Sequence, residues 1–113
     1  MLKVYGIKNC DSVRKALKYF KTHDIPYEFI DFKQTPVLRN KIDEWLQQTD
    51  ITTLFNTKGT TYRTLKLKDI GLNEKEKADW LVKENMLIKR PIIEYNGKVI
   101  VGYNEAYYRE NLS

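Results

Sequence analysis

The sequence predicts an α/β domain built on a four-stranded mixed sheet, and three observations carry that expectation. An alternating strand pattern, a helical period and a second strand follow one another within the first 32 residues. Near the other end an Asn-Gly pair stands between two β-rich runs. Between these halves the apolar positions recur at helical spacing. The 113 residues suit one domain. A chain of this length buries roughly two thirds of its unfolded surface, so it folds without disulfides or metal. Its 42% hydrophobic content is too high for a disordered chain.

Each element has its own local reason. Leu2, Val4 and Gly6 alternate with Lys3 and Tyr5, a short strand that the KNCDS segment (8–12) then breaks. From Ser12 the period changes. Val13, Ala16, Leu17 and Phe20 fall at i, i+3, i+4 and i+7 among Arg14, Lys15, Lys18 and Lys21, an amphipathic helix ending near His23-Asp24. After Ile25-Pro26, the β-branched and aromatic run YEFIDF (27–32) reads as a second strand. Strand, helix and strand in so short a span make a βαβ unit with parallel strands and a right-handed crossover. Thr35-Pro36 offers a capping hydroxyl and a first-turn proline, a helix start followed by the stripe Leu38, Ile42, Trp45 and Leu46. Residues 50–72 hold shorter pieces: ITTLF, the Thr/Gly segment NTKGTTYR (56–63), and a helical turn ending near Gly71. Asn73 with Glu76 three residues on is a capping box for a helix through about Glu84, with Ala78, Trp80 and Leu81 toward the core. Pro91–Tyr95 and Lys98–Val101 flank Asn96-Gly97 and form a hairpin. Asn104 caps a closing helix. The order β-α-β, helical insert at about 36–86, β-β-α is the thioredoxin-like plan, read as a single domain over 1–113.

Charge and cysteine content narrow the function. The net charge is +5, but residues 1–56 hold 9 basic and 7 acidic side chains and residues 57–113 hold 11 and 8. Charge spread this evenly is a solvated surface, so an anionic partner is a small molecule or a local acidic patch and no direct nucleic-acid contact is expected. No run approaches the roughly 18 apolar residues of a membrane span. MLKVYGIKNC turns polar too soon for a signal peptide, and a cytoplasmic location is the expectation. One cysteine excludes an internal disulfide and a Cys-rich zinc site.

The chemistry points to Cys10, at the junction of the first strand and helix. Unpaired amides and the positive end of the helix dipole lie there, and a thiol so placed loses its proton more easily. Arg14 follows one turn later and Lys8 adds a cation, while Asp11 opposes both. The competing reading is a buried small hydrophobe, the usual fate of a free cysteine. Its flanking residues, Asn9 and Asp11, favour the nucleophile. Arg90-Pro91 enters the third strand; a cis bond there would offer backbone groups to an extended ligand, although trans is the default. NTKGTTYR lacks the Walker spacing and reads as a loop. His23 reads as an exposed side chain at a helix end. Trp45 and Trp80 read as core, and Tyr103, Tyr107 and Tyr108 as packing for the last helix.

Four ordered segments, YGIKNCDSVRKAL, NTKGTTYR, LIKRPII and VGYNEAYY, resemble the arsenate reductase-like family that includes ArsC, Spx and YffB. The resemblance spans essentially the whole chain and is closest to the YffB branch. It implies a thioredoxin-like domain with an inserted helical lobe and a redox role for Cys10. Arg14 matches the family's arginine four residues after the cysteine. Arg90 matches the arginine before a proline that is usually cis, here Pro91. The implied activity is thiol-dependent oxidoreduction through a mixed disulfide, with no resident cofactor or metal and with glutathione as external reductant. Glutaredoxin is a further partner of that chemistry. Lys8, Asn9 and Pro91 are the expected glutathione contacts, and Arg63 approaches the site. Two departures follow from spacing. Asn56 and Tyr103 occupy positions where arsenate reductases hold two oxyanion-binding arginines, which argues against efficient arsenate reduction. Val13 stands where Spx regulators carry a second cysteine. The alternatives implied are an Spx-like regulator binding the RNA polymerase α subunit, with which the VGYNE segment is shared, and a weak arsenate reductase.

Overall fold

Alternation at the N-terminus and the helical period behind it do form a βαβ unit. The computed structural model describes residues 1–112. Strand β1 spans Leu2–Gly6, helix α1 Asp11–Thr22 and strand β2 Tyr27–Asp31. β1 and β2 run parallel, with Val4 opposite Phe29 and Gly6 opposite Asp31. The Asn96-Gly97 turn joins β3 (Ile92–Tyr95) to β4 (Lys98–Val101). Both turn residues have positive φ, 50° and 77°, as a two-residue hairpin turn matching the strand twist requires. β3 is also antiparallel to β1, with Val4 opposite Ile93. The sheet order β2-β1-β3-β4 completes the expected four-stranded mixed sheet.

The chain divides into two compact units, residues 1–35 with the chain from Arg90 onward, and Pro36–Lys89. In the first, Leu2, Val4, Ala16, Phe20, Ile93 and Tyr108 are buried in one cluster. Helix α6 (Glu105–Asn111) carries Tyr108 into it, capped by Asn104, whose Oδ1 accepts from the Tyr107 amide at 3.0 Å. The Tyr108 hydroxyl donates to the Gly102 carbonyl at 2.6 Å. Burial, then the nearby Tyr103, pushes its pKa well up. Tyr107, by contrast, is 43% exposed and takes no part in the core expected of it. Gly6 lets β1 and α1 approach closely: a Cβ there would lie 2.7 Å from Val13 Cγ2.

The second unit holds α2 (Arg39–Leu46), α3 (Ile51–Leu54), α4 (Thr60–Thr64) and α5 (Glu74–Lys83). Ile42, Trp45, Leu54 and Leu81 are fully buried. The capping box at α5 forms in both directions, 2.8 and 3.0 Å. Three expectations need correction. The helix does not start at Thr35-Pro36 but at Arg39. Thr35 instead closes a turn on the Asp31 carbonyl at 2.8 Å, and Val37 is held by Asn85 Oδ1 at 2.9 Å, which keeps the backbone between them out of the helix. Trp80 is half-buried, its ring carrying the Lys83 ammonium at 4.7 Å. The NTKGTTYR segment is only partly a loop, since Thr60–Arg63 belong to α4.

Candidate functional site

Sheet pairing decides which candidate residues meet. β1 leads directly into Lys8-Asn9-Cys10, and its antiparallel pairing places Tyr5 opposite Ile92. β3 therefore begins where β1 ends. Arg90-Pro91 lies at the same end of the sheet as Lys8, Asn9 and Cys10. The Arg90-Pro91 bond is cis, in line with the resemblance, and the Pro91 carbonyl accepts from the Gly102 amide at 2.7 Å. Arg90 is half-buried and Lys8 exposed.

Cys10 is the N-cap of α1. Its backbone is extended (φ −148°, ψ 124°) and its side chain makes no capping hydrogen bond. Its carbonyl accepts from the Arg14 amide at 2.9 Å, the first bond of the helix. The thiol is half-buried, not enclosed in the core. Three other N-caps behave differently. Asp50, Asn73 and Asn104 each accept an amide of their own first turn. At Cys10 the first-turn amides of a 12-residue helix are left for another acceptor.

Arg14 does not turn to the sulfur. Its guanidinium donates to the Asp11 carboxylate and, at 3.4 Å, to Asn9 Oδ1, so the residues on either side of Cys10 hold it. Asp11 sits in the first turn, where a carboxylate is favoured by the helix dipole. This clasp was legible in principle from the Asp11/Arg14 spacing of three, which places both side chains on one helix face. Arg63 belongs to the second unit, on α4, where its guanidinium donates to the Lys58 carbonyl at 3.3 Å. The strand pairing that gathers the other candidates does not include it.

The remaining candidates have local roles. Asn56 Oδ1 accepts from the Lys58 amide at 3.1 Å, and the Tyr103 ring meets Tyr108 edge-on at 5.6 Å. His23 is exposed at the C-terminus of α1 as expected, but it also stacks on Tyr19, ring centroids 4.0 Å apart.

The arrangement presents one half-buried sulfur at a helix N-terminus whose first-turn amides its side chain leaves unused, with the Arg14 guanidinium held by the neighbouring Asn9 and Asp11. The ArsC family matches residues 5–111. A solved YffB protein superposes with a TM-score of 0.93 at 30% identity, covering all of both chains. A structure described as a possible arsenate reductase from Streptococcus mutans is 34% identical, with a TM-score of 0.81 and 98% of each chain covered. The global transcriptional regulator Spx of Listeria innocua is 31% identical over 99% of this chain and 87% of its own.

Proposed function

This chain belongs to the ArsC family, and from that premise we propose that it is a glutathione-dependent thiol oxidoreductase working through Cys10. The observation that carries the reading is the half-buried cysteine capping α1 without using its side chain as a cap. The Cys10 thiolate attacks the glutathionyl sulfur of a mixed disulfide; the S–S bond breaks, and the substrate leaves as a thiolate that takes a proton from solvent. A second glutathione thiolate then attacks the Cys10–glutathione disulfide. Oxidised glutathione departs and Cys10 is regenerated. With a single cysteine in the chain, the resolving thiol comes from outside, from glutathione or from glutaredoxin. Arg14 and Arg90 supply positive charge for the thiolate and for carboxylates of the substrate. Lys8, Asn9 and the Pro91 backbone contact glutathione. Such chemistry suits a reducing cytoplasm.

Two measurements test this. Incubation with oxidised glutathione is expected to add one glutathionyl group to intact protein and none to Cys10→Ser. Turnover of a glutathione–mercaptoethanol mixed disulfide is expected to vanish in the same variant. Retained turnover in Cys10→Ser, or an unmodified wild type, overturns the assignment.

A second reading, an Spx-like regulator, has support from the Listeria protein's likeness over nearly the whole chain. It predicts that tagged protein retains the RNA polymerase α subunit from extract. Retention by Cys10→Ser as strong as by wild type, together with no turnover in either, would favour regulation over catalysis.

A further inference from the structure

The helical unit carries a cavity for which thiol exchange at Cys10 gives no account. It measures about 730 Å³ and is lined by Thr57, Tyr62, Arg63, Lys66, Lys68 and Asp69, all within Pro36–Lys89. That volume is in the range of small-molecule sites. Three cations stand against one carboxylate. On α2 of the same unit, by comparison, Arg39 is paired with Asp43 and Asp79, and Lys41 with Glu44. Around the cavity Arg63 reaches only the Lys58 carbonyl, and among the described residues neither Lys66 nor Lys68 forms an ion pair. Uncompensated positive charge in a concave surface focuses potential and concentrates anions.

Local folding explains how the charges converge. Arg63 lies in the last turn of α4, which closes with the Leu65 amide on the Thr61 carbonyl and the Lys66 amide on the Arg63 carbonyl, 3.0 and 3.1 Å. Lys66 then adopts the left-handed region, φ 54°, a conformation that costs a non-glycine residue about 1–2 kcal/mol. The reversal buries Leu67 and leaves Lys66 and Lys68, on either side of it, exposed at the cavity. Tyr62 adds an aromatic wall, fixed edge-on against Phe55 at 5.9 Å.

We propose that this cavity binds a phosphate chain of the di- or triphosphate kind. Arg63 would take a pair of oxygens through its planar fork, Lys66 and Lys68 would act as point charges on the others, and Thr57 would add a hydroxyl donor. A single carboxylate engages fewer of these groups than several linked phosphate oxygens do.

Calorimetric titration of the full chain with tripolyphosphate, ATP and adenosine at low and physiological salt tests the proposal. Wild type is expected to bind tripolyphosphate saturably, more weakly as salt rises. The double variant K66Q/K68Q is expected to lose about tenfold or more in affinity, Arg63→Gln a similar amount. K15Q/K18Q, which removes the same charge from α1, is expected to change affinity less than about twofold. Equal binding of ATP and tripolyphosphate identifies the phosphate chain alone as the ligand; tighter ATP binding identifies a nucleotide seated on Tyr62. No saturable binding, equal losses in the two double variants, or adenosine binding as tightly as ATP overturns the site. Circular-dichroism melts of each variant separate lost binding from lost folding.

Discussion

The two ends of helix α1 follow opposite rules. At the C-terminal end Tyr19 and Phe20 are buried. Phe20 stacks on Tyr108 at 5.5 Å, and Tyr19 meets the same ring edge-on at 5.6 Å. His23 completes the stack, its Nδ1 2.9 Å from the Tyr19 carbonyl, which makes the imidazole the donor. At the N-terminal end, Cys10 leaves its cap unused and its neighbours Asn9, Asp11 and Arg14 are exposed and polar. One end fixes the helix by packing. The other is held by Val13, buried in the first turn close to Gly6 of β1, and presents a sulfur just ahead of that contact.

The sharpest way to break this comparison is to truncate one side chain at each end. Phe20→Ala is expected to cost about 3–5 kcal/mol, from lost burial and the cavity left behind. Cys10→Ala is expected to cost less than about 1 kcal/mol, since no capping bond is lost, while abolishing glutathionylation. Urea unfolding of both variants checks the contrast. Similar losses at the two ends would mean that Cys10 is a packing residue after all. Next in size is Gly6→Ala. The added methyl meets Val13, which is itself buried and β-branched, so β1 and α1 must part. A loss of about 1–3 kcal/mol is expected, accompanied by slower glutathionylation of Cys10 because the helix N-terminus moves with Val13. Unchanged stability and reactivity would show that the close approach is incidental.

The sheet half was largely legible in the sequence, for reasons visible in particular residues. Period-two alternation at Leu2 and Val4 and the Asn96-Gly97 turn are local signals and formed as read, as did the equally local Asn73–Glu76 box in the helical unit. The helix start at Thr35-Pro36 was misread because its competitor is non-local. Asn85, 48 residues away from Val37, supplies the bonds that keep that stretch extended. In the candidate site, the position of Cys10 followed from the change of period, whereas its shared end of the sheet with Arg90-Pro91 rests on the non-local pairing of β1 with β3, which the local pattern does not reveal. The engagement of Arg14 did not. A guanidinium with a carboxylate three residues before it and a thiol four before it has two possible partners, and only the geometry shows Asp11 taken.

Tyr108 tests the packed end more finely. Tyr108→Phe removes the hydroxyl that bonds Gly102 and is expected to cost about 1 kcal/mol at neutral pH. Its pKa is raised in the fold because burial disfavours the phenolate. The neutral phenol's contribution is therefore complete below the unfolded value of about 10 and is lost as pH climbs past it. The deficit of the Phe variant should shrink above about pH 10, measured as the difference in urea midpoints. A deficit that stays constant into the alkaline range would contradict the burial argument.

The smallest effect concerns the open end, and its two parts have opposite signs. Asp11 occupies the first turn and holds Arg14, so it competes with a Cys10 thiolate both for the helix amides and for the guanidinium. Asp11→Asn removes a favourable charge–dipole contact and an exposed ion pair. Charge at a helix terminus is worth about 0.3–1 kcal/mol, so thermal stability should fall slightly. The same substitution leaves Arg14 and the amides to the sulfur. Alkylation of Cys10 by iodoacetamide, a neutral reagent, should then accelerate about two- to fivefold at neutral pH, the rate equivalent of that energy. A merely structural carboxylate would not produce both changes, because loosening the helix end scatters the amides and slows the thiolate. Should stability and alkylation rate fall together, Asp11 supports the site instead of restraining it, and the open end of α1 is less independent of its packing than the geometry implies.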